Sequence, residues 1–134
     1  MKFIAVDPGQ DKCGIALMDE SGIVYEKSVV PVNNLALEIQ RILEIEPQIY
    51  IIALGDGTGY KEIQKNLRER CPGLRVVVVE ESGSTLRARR LFLRDRRVKW
   101  HKRFFPFSLF FPVSPVDEYA AVVIGEKYIE SKTK

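Results

Sequence analysis

Short apolar runs separated by turn signals dominate the first third of the chain. The runs are Phe3–Val6, Gly14–Met18 and Ile23–Val30, and Asp7-Pro8-Gly9 and Asp19-Glu20-Ser21-Gly22 interrupt them. Runs of this length, bounded by Gly, Pro, Asp and Ser, are typical of β-strands. Because the connections are short, consecutive strands are expected to pair in an antiparallel meander. The chain is therefore predicted to open with three antiparallel strands.

A helical pattern follows the meander. From Asn33 to Glu46 the apolar positions Leu35, Ile39, Ile42 and Leu43 recur every three or four residues, which indicates a helix with one buried face. A proline directly after this segment ends the helix, and either of the two asparagines that begin the segment can cap it.

Two continuous apolar runs, Ile49–Leu54 and Leu74–Val79, each lead into a further helix. The first of these helices ends near Cys71-Pro72-Gly73, and the second is expected from about Ser84 to Arg96. A last helix is expected from Pro115 to about Ser131. Continuous Val, Ile and Leu runs that alternate with helices indicate parallel strands buried on both faces.

The order of these elements predicts an α/β fold with a five-stranded mixed sheet: a three-strand antiparallel meander, then two β-α units, with helices on both faces. A length of 134 residues and a hydrophobic fraction of 46% fit a single domain, residues 1–134. No apolar run is long enough to span a membrane, and Asp7 comes too early for a secretory signal. Cys13 and Cys71 form no metal or redox spacing. We therefore expect a cytoplasmic protein with two reduced thiols.

Three acidic residues, Asp7, Glu81 and Asp117, lie where ligand sites are expected. Right-handed crossovers bring the carboxyl ends of parallel strands to one edge of a sheet, where ligands bind. Asp7 and Glu81 follow strand ends, and Asp117 lies near the start of the last helix. Each acid alone is explained by a turn, a strand end or a helix cap. Together they offer hard oxygen ligands for Mg²⁺ or Mn²⁺, and such ions promote phosphodiester hydrolysis.

Positive charge is concentrated in the later part of the chain. Residues 1–86 carry 9 Lys or Arg against 13 Asp or Glu, a balance of −4, whereas residues 87–134 carry 12 against 5, a balance of +7. Four arginines of the predicted helix fall at steps of three and four and form one stripe: Arg87, Arg90, Arg94 and Arg97. Such a stripe fits a polyanionic partner, and it fits a solvated helix face equally well.

The glycine-rich segment Gly55-Asp56-Gly57-Thr58-Gly59 has two interpretations. Backbone N–H groups at a helix start can bind an anion, but a tight strand-to-helix turn is the simpler explanation. A P-loop is excluded because no Gly-Lys-Ser/Thr follows. An actin-like or sugar-kinase ATPase is disfavoured because those proteins need two lobes of this size.

Several segments together resemble the YqgF-type ribonuclease-H-like domains, relatives of the RuvC Holliday-junction resolvases. The resemblance lies in Asp7-Pro8-Gly9 with Gly14-Ile15-Ala16, in Val76–Arg89, and in Val116-Asp117-Glu118-Tyr119-Ala120-Ala121. It implies a ribonuclease H-like fold, with Asp7, Glu81 and Asp117 at the positions of the metal-binding acids. It also implies branched DNA or precursor ribosomal RNA as substrate.

A different relative is indicated by Glu80-Glu81-Ser82-Gly83-Ser84-Thr85. Together with Gly55-Asp56-Gly57-Thr58, this segment is closer to the domain embedded in the transcription accessory protein Tex, which looks more like a binding or scaffold module. The sequence thus leaves two hypotheses. The first is a Mg²⁺- or Mn²⁺-dependent endonuclease of structured nucleic acid, and the alternative is a non-catalytic nucleic-acid-binding or scaffold module.

An aromatic cluster between prolines has no single interpretation. Its rings, Trp100, Phe104, Phe105, Phe107, Phe110 and Phe111, could pack over the sheet edge, stack on unpaired bases or form a homodimer contact. The identity of a fourth acidic ligand, Asp56 or Glu118, is also open.

Overall fold

The structure, a computed structural model, describes residues 1–80 and 115–133, and the side chains of the last helix from Tyr119 to Lys132. The strands are β1 (Lys2–Asp7), β2 (Lys12–Asp19), β3 (Val24–Pro31), β4 (Ile51–Gly55) and β5 (Arg75–Val79). The helices are α1 (Leu35–Ile45), α2 (Tyr60–Arg70) and α3 (Pro115–Thr133), and a 3₁₀ turn (Val32–Asn34) precedes α1. The predicted helix from Ser84 to Arg96 lies outside the described residues.

The sheet has the strand order β3-β2-β1-β4-β5. The first three strands pair antiparallel, and β4 and β5 continue the sheet in parallel with β1. Val6 lies opposite Leu54, which in turn lies opposite Val78. The predicted five-stranded mixed sheet, a meander followed by two β-α units, is therefore confirmed.

Helices cover both faces of the sheet, as predicted, and each face has its own core cluster. Ile4 and Val6 of β1 pack with residues of α1 and α2. Phe3 and Ala5 pack with residues of α3. Because neighbouring side chains on a strand point to opposite faces, a central strand covered on both sides needs apolar residues at consecutive positions. This requirement explains the run Phe3–Val6.

Strand boundaries differ from the prediction where apolar residues lie in turns. The amide of Ile49 donates to the carbonyl of Glu46 at 3.2 Å, and the amide of Leu74 donates to the carbonyl of Cys71 at 3.1 Å. Both residues therefore precede their strands. Val78 is 41% exposed, so the expectation that this strand is buried on both faces is wrong. In the described part of the sheet β5 is an edge strand, and an edge has fewer neighbours.

A carboxylate organises the turn between β2 and β3. Asp19 Oδ1 accepts hydrogen bonds from the Ser21 amide at 2.9 Å and the Ile23 amide at 3.1 Å, and Oδ2 accepts one from the Tyr25 hydroxyl at 2.6 Å. Partial burial raises the pKa of Asp19, but these hydrogen bonds lower it to about 2. In this hairpin loop the ionised carboxylate of Asp19 is the hydrogen-bond acceptor for the Ser21 and Ile23 amides.

Both cysteines, Cys13 and Cys71, are buried and free, as the sequence predicted. Within residues 1–80 and 115–133, no helix combines the length and the apolar character that a membrane span requires.

The last helix packs closely against the sheet at a glycine. A Cβ atom on Gly125 would lie 2.3 Å from Met18 Sδ and 3.3 Å from Ala5 Cβ. Three residues later, the Tyr128 ring lies 4.8 Å from the Phe3 ring, centroid to centroid. Because Ala5 follows Phe3 in β1 while Gly125 precedes Tyr128 in α3, the helix runs antiparallel to the strand. The start of α3 therefore lies towards the carboxyl end of β1.

We expect Gly125→Val to destabilise the protein by about 2–3 kcal/mol. Extra methyl groups at this contact would force Met18 and Ala5 apart, and overpacking a core costs about 1–3 kcal/mol. The measurement is urea denaturation followed by circular dichroism. Gly73→Val is the matched control, because nothing lies within 4 Å of a Cβ there, and its effect should stay within about 0.5 kcal/mol. Equal effects of the two substitutions would contradict the close contact.

Candidate metal site at the sheet edge

Asp7 is the last residue of the central strand β1 and is partly buried. The β1–β4 pairing ends at Val6 and Leu54, so Asp7 is one residue beyond it, as is Gly55, which pairs with Val79 of β5. Side chains alternate along a strand, so Asp7 lies on the same face as Ala5, the face that α3 covers. The prediction that Asp7 occupies the carboxyl edge of the parallel strands is thus confirmed for its position in the sheet.

The turn after Asp7 shapes a small cavity. A Cβ atom on Gly9 would lie only 2.3 Å from the backbone oxygen of Lys12, so the turn closes this tightly only with glycine. The cavity measures about 290 Å³, and its lining includes Asp7, Asp11, Gly14 and the turn itself. A carboxylate at the end of the central strand therefore opens onto a space that can admit an ion and a phosphate group.

Asp11 was missed in the sequence as a candidate ligand. Its side chain is exposed and lines the Asp7 cavity, and its backbone oxygen accepts a hydrogen bond from the Val32 amide at 3.0 Å. It lies in a turn and follows no apolar run, so only its spacing of four residues from Asp7 could have indicated it. Two acids on one small cavity supply the oxygen donors that Mg²⁺ and Mn²⁺ prefer.

The thiol of Cys13 lies close to this site. Burial raises its pKa, a hydrogen bond from the Gly9 backbone lowers it, and the charge of Asp7 raises it further, with a net increase. The thiol therefore stays protonated at neutral pH and is a poor metal ligand. The donors described at this edge are oxygen atoms, which fits a hard divalent cation.

The glycine-rich segment is a tight turn at the same edge. The Asp56 amide donates to the Val79 carbonyl at 3.0 Å, and the Tyr60 amide donates to the Gly57 carbonyl at 3.1 Å. Gly59 begins α2 with a φ of 82°, a conformation that favours glycine. Because the Asp56 amide and the amide of Tyr60, the next residue after the segment, both donate to carbonyl groups, the segment is better explained as a strand-to-helix turn than as an anion site.

For the other two predicted acids, Glu81 and Asp117, only the positions of neighbouring parts of the chain are described. Glu81 lies outside the described residues, two positions after the end of β5. Close to it, Lys127 Nζ of α3 donates a hydrogen bond to the Glu80 carbonyl at 3.0 Å. Asp117 is the third residue of α3, at the helix end that lies towards Asp7, and its side chain is outside the described part.

The trio of acids therefore stays a prediction. Among the side chains that the structure describes, no group of three or more His, Cys, Asp or Glu residues could hold a metal ion. Two of the three acids are not among those side chains. The arginine stripe, Arg87, Arg90, Arg94 and Arg97, and the aromatic cluster also lie outside the described residues.

Comparison with known proteins identifies the fold. A fowlpox virus resolvase, determined in complex with its substrate Holliday junction DNA, is 15% identical over 100% of both chains, with a TM-score of 0.60. RuvC from Thermus thermophilus is 12% identical, and the match covers 99% of this chain and 98% of RuvC, with a TM-score of 0.55. The chain therefore has the ribonuclease H-like fold of the Holliday junction resolvases.

Part of the fold also occurs in a larger protein. A structure described as a sugar kinase from Cytophaga hutchinsonii matches at a TM-score of 0.50 and 13% identity, over 66% of this chain and 38% of the kinase. The chain thus spans little more than a third of that protein's length. No family model and no curated protein matches the sequence. At identities this low, the comparisons establish the fold.

We expect Mn²⁺ to raise the melting temperature of the wild-type protein and to have little effect on Asp7→Asn. Metal that binds only the folded state adds RT ln(1 + [M]/Kd), about 2.7 kcal/mol at a hundredfold excess over Kd. Thermal melts in EDTA and in millimolar Mn²⁺ measure this difference. Glu44→Gln, which removes an exposed charge on α1, is the control and should keep the full shift. If Mn²⁺ does not shift the wild-type protein, the metal site is wrong.

Proposed function

We propose that this chain is a metal-dependent endonuclease that hydrolyses phosphodiester bonds in structured nucleic acid. The observation that carries the proposal is the position of Asp7, at the end of the central strand and open to a cavity, in a resolvase fold. Asp7, Glu81 and Asp117 are the proposed ligands of Mg²⁺ or Mn²⁺, and Asp11 lines the same cavity. When bound, two such ions supply an activated water and stabilise the leaving oxygen.

The chain's own residues contribute position and charge. The parallel register fixes the backbone of Asp7 beside the ends of β4 and β5, so its carboxylate needs little reorganisation to hold a ligand. The Gly9 turn, which packs closely on the Lys12 backbone, lines the cavity beside that carboxylate. The antiparallel course of α3 directs its first turn, which contains Asp117, to the same end of β1.

Nucleic acid is the proposed partner, with the arginine stripe as its phosphate contact. The fowlpox virus resolvase binds Holliday junction DNA, and its match to the whole of this chain favours branched DNA as the first substrate to test. The resemblance to YqgF-type domains supports precursor ribosomal RNA as the second. The resemblance of Glu80-Glu81-Ser82-Gly83-Ser84-Thr85 to the Tex domain supports the alternative, a module that binds nucleic acid without cleaving it.

The purified protein should cleave four-way junction DNA in Mg²⁺ or Mn²⁺, and EDTA should abolish the cleavage. Asp7→Asn should lower the rate at least a hundredfold, because a neutral amide is a much weaker ligand than a carboxylate. Gel assays with junction DNA, linear duplex and structured RNA measure both rate and substrate class. Glu44→Gln again serves as the control. Wild-type activity in Asp7→Asn would remove Asp7 from the site, whereas binding without cleavage by the wild type would favour the Tex-like module.

Binding should weaken steeply with salt, and the arginine stripe should account for part of the slope. Each phosphate contact that is lost should flatten the plot of log K against log[salt] by about 0.7–0.9. Fluorescence anisotropy at several salt concentrations compares the wild type with a quadruple variant. In this variant alanine replaces Arg87, Arg90, Arg94 and Arg97. A folded variant with an unchanged slope would show that the stripe is only a solvated helix face.

A further inference from the structure

A second and larger cavity lies on the other side of the turn between β1 and β2. It measures about 600 Å³, within the range of about 300–1,000 Å³ that is typical of small-ligand sites. One wall is a single stripe of α2, formed by Glu62, Asn66 and Arg70, and it continues to Gly59, the residue before the helix. An α-helix of 11 residues is about 16 Å long, so the stripe forms a groove rather than a point contact.

The floor of this cavity is apolar and its rim is rich in amides. Val32, Leu35 and Ile63 contribute to the floor, and the last two are buried core residues. Gln10, Asn33 and Asn66 also line the cavity, and all three are exposed. An apolar surface beside carboxamide groups suits a nucleobase, because the ring of the base can pack on the apolar side chains while its edge forms hydrogen bonds.

The charge of the cavity argues against a phosphate inside it. Glu62 lies in the first turn of α2, where its negative charge already complements the positive end of the helix dipole. An anion at that end would be repelled by Glu62, and Arg70, the one cation among the described lining residues, lies at the opposite end of the helix. An ionised carboxylate only accepts hydrogen bonds. Glu62 therefore favours a base with an exocyclic amino group, such as cytosine.

The two cavities meet at Gly9 and Gln10, which line both. A strand whose phosphodiester lies in the Asp7 cavity would thus pass directly over the larger one. We propose that the larger cavity binds one unpaired, amino-bearing nucleobase of a nucleotide next to the bond that is cleaved. The identity of this ligand rests on the proposed function, but its binding needs neither metal nor cleavage.

Nucleosides test the cavity separately from the metal site. Isotope-labelled protein in EDTA is titrated with deoxycytidine, cytidine, thymidine and glucose while its amide NMR signals are recorded. Deoxycytidine should shift the amides of Asn33, Gly59 and Asn66 and bind about tenfold more tightly than thymidine, a factor equal to about 1.4 kcal/mol. Comparison of deoxycytidine with cytidine shows whether the site prefers DNA or RNA.

Substitutions assign the preference to named groups. Glu62→Gln should remove the discrimination between deoxycytidine and thymidine, because an amide can both donate and accept. Asn66→Leu should weaken deoxycytidine binding about five- to tenfold. Asn34→Leu is the matched control: this exposed residue precedes α1, makes no side-chain cap hydrogen bond and is not part of the cavity lining. It should bind like the wild type.

The inference would be overturned by nucleoside shifts confined to other regions, by equal affinity for thymidine and deoxycytidine, or by binding of glucose instead of nucleosides. Asp7→Asn separates this outcome from the proposed function. The variant should lose cleavage and keep nucleoside binding. A wild-type protein that binds nucleosides in the cavity but never cleaves nucleic acid would contradict the nuclease proposal alone, and one that cleaves without binding nucleosides would contradict the cavity assignment alone.

Discussion

Parallel pairing of β4 with both β1 and β5 is the constraint on which the rest of the structure depends. The paired row of Val6, Leu54 and Val78 aligns three strands so that all three end at the same edge of the sheet. The position of the candidate site depends on this edge. Asp7 ends its strand there, the turn before α2 begins there, and the chain continues towards Glu81 from there. A shift of the register by one residue would turn Asp7 to the opposite face.

The two faces of the sheet carry different chemical groups at this edge. The α3 face carries Asp7 and brings the first turn of a helix towards it, with close packing at Gly125. The α1 and α2 face carries the larger cavity, whose amides and apolar floor differ in chemistry from the acids of the other side. Gly9 and Gln10 line both cavities, so the two environments adjoin at this turn. One edge can therefore offer separate contacts to the charged backbone and to the uncharged base of the same nucleotide.

The architecture could be predicted from the sequence because the spacing of apolar residues indicates which positions are buried. The strands and helices of the fold bury those positions. Strand ends were predicted less well, since Ile49 and Leu74 are apolar residues of turns and hydrophobicity alone does not distinguish them from strand residues. The exposure of Val78 was missed because an edge strand and a central strand can share the same composition. At the site, Asp7 was found because it ends a strand. Asp11 was missed because the turn that brings it to the cavity is a matter of backbone geometry.

The close contact between α3 and β1 has a consequence for the biogenesis of the protein. The residues that pack on Phe3 and Ala5, Tyr128 and Gly125, are added more than a hundred residues after them. Until then the side chains of Phe3 and Ala5 lack their contacts with α3, and exposed apolar surface is prone to association. Closure of this face therefore depends on a contact between segments far apart in the chain, and contacts of that kind form slowly.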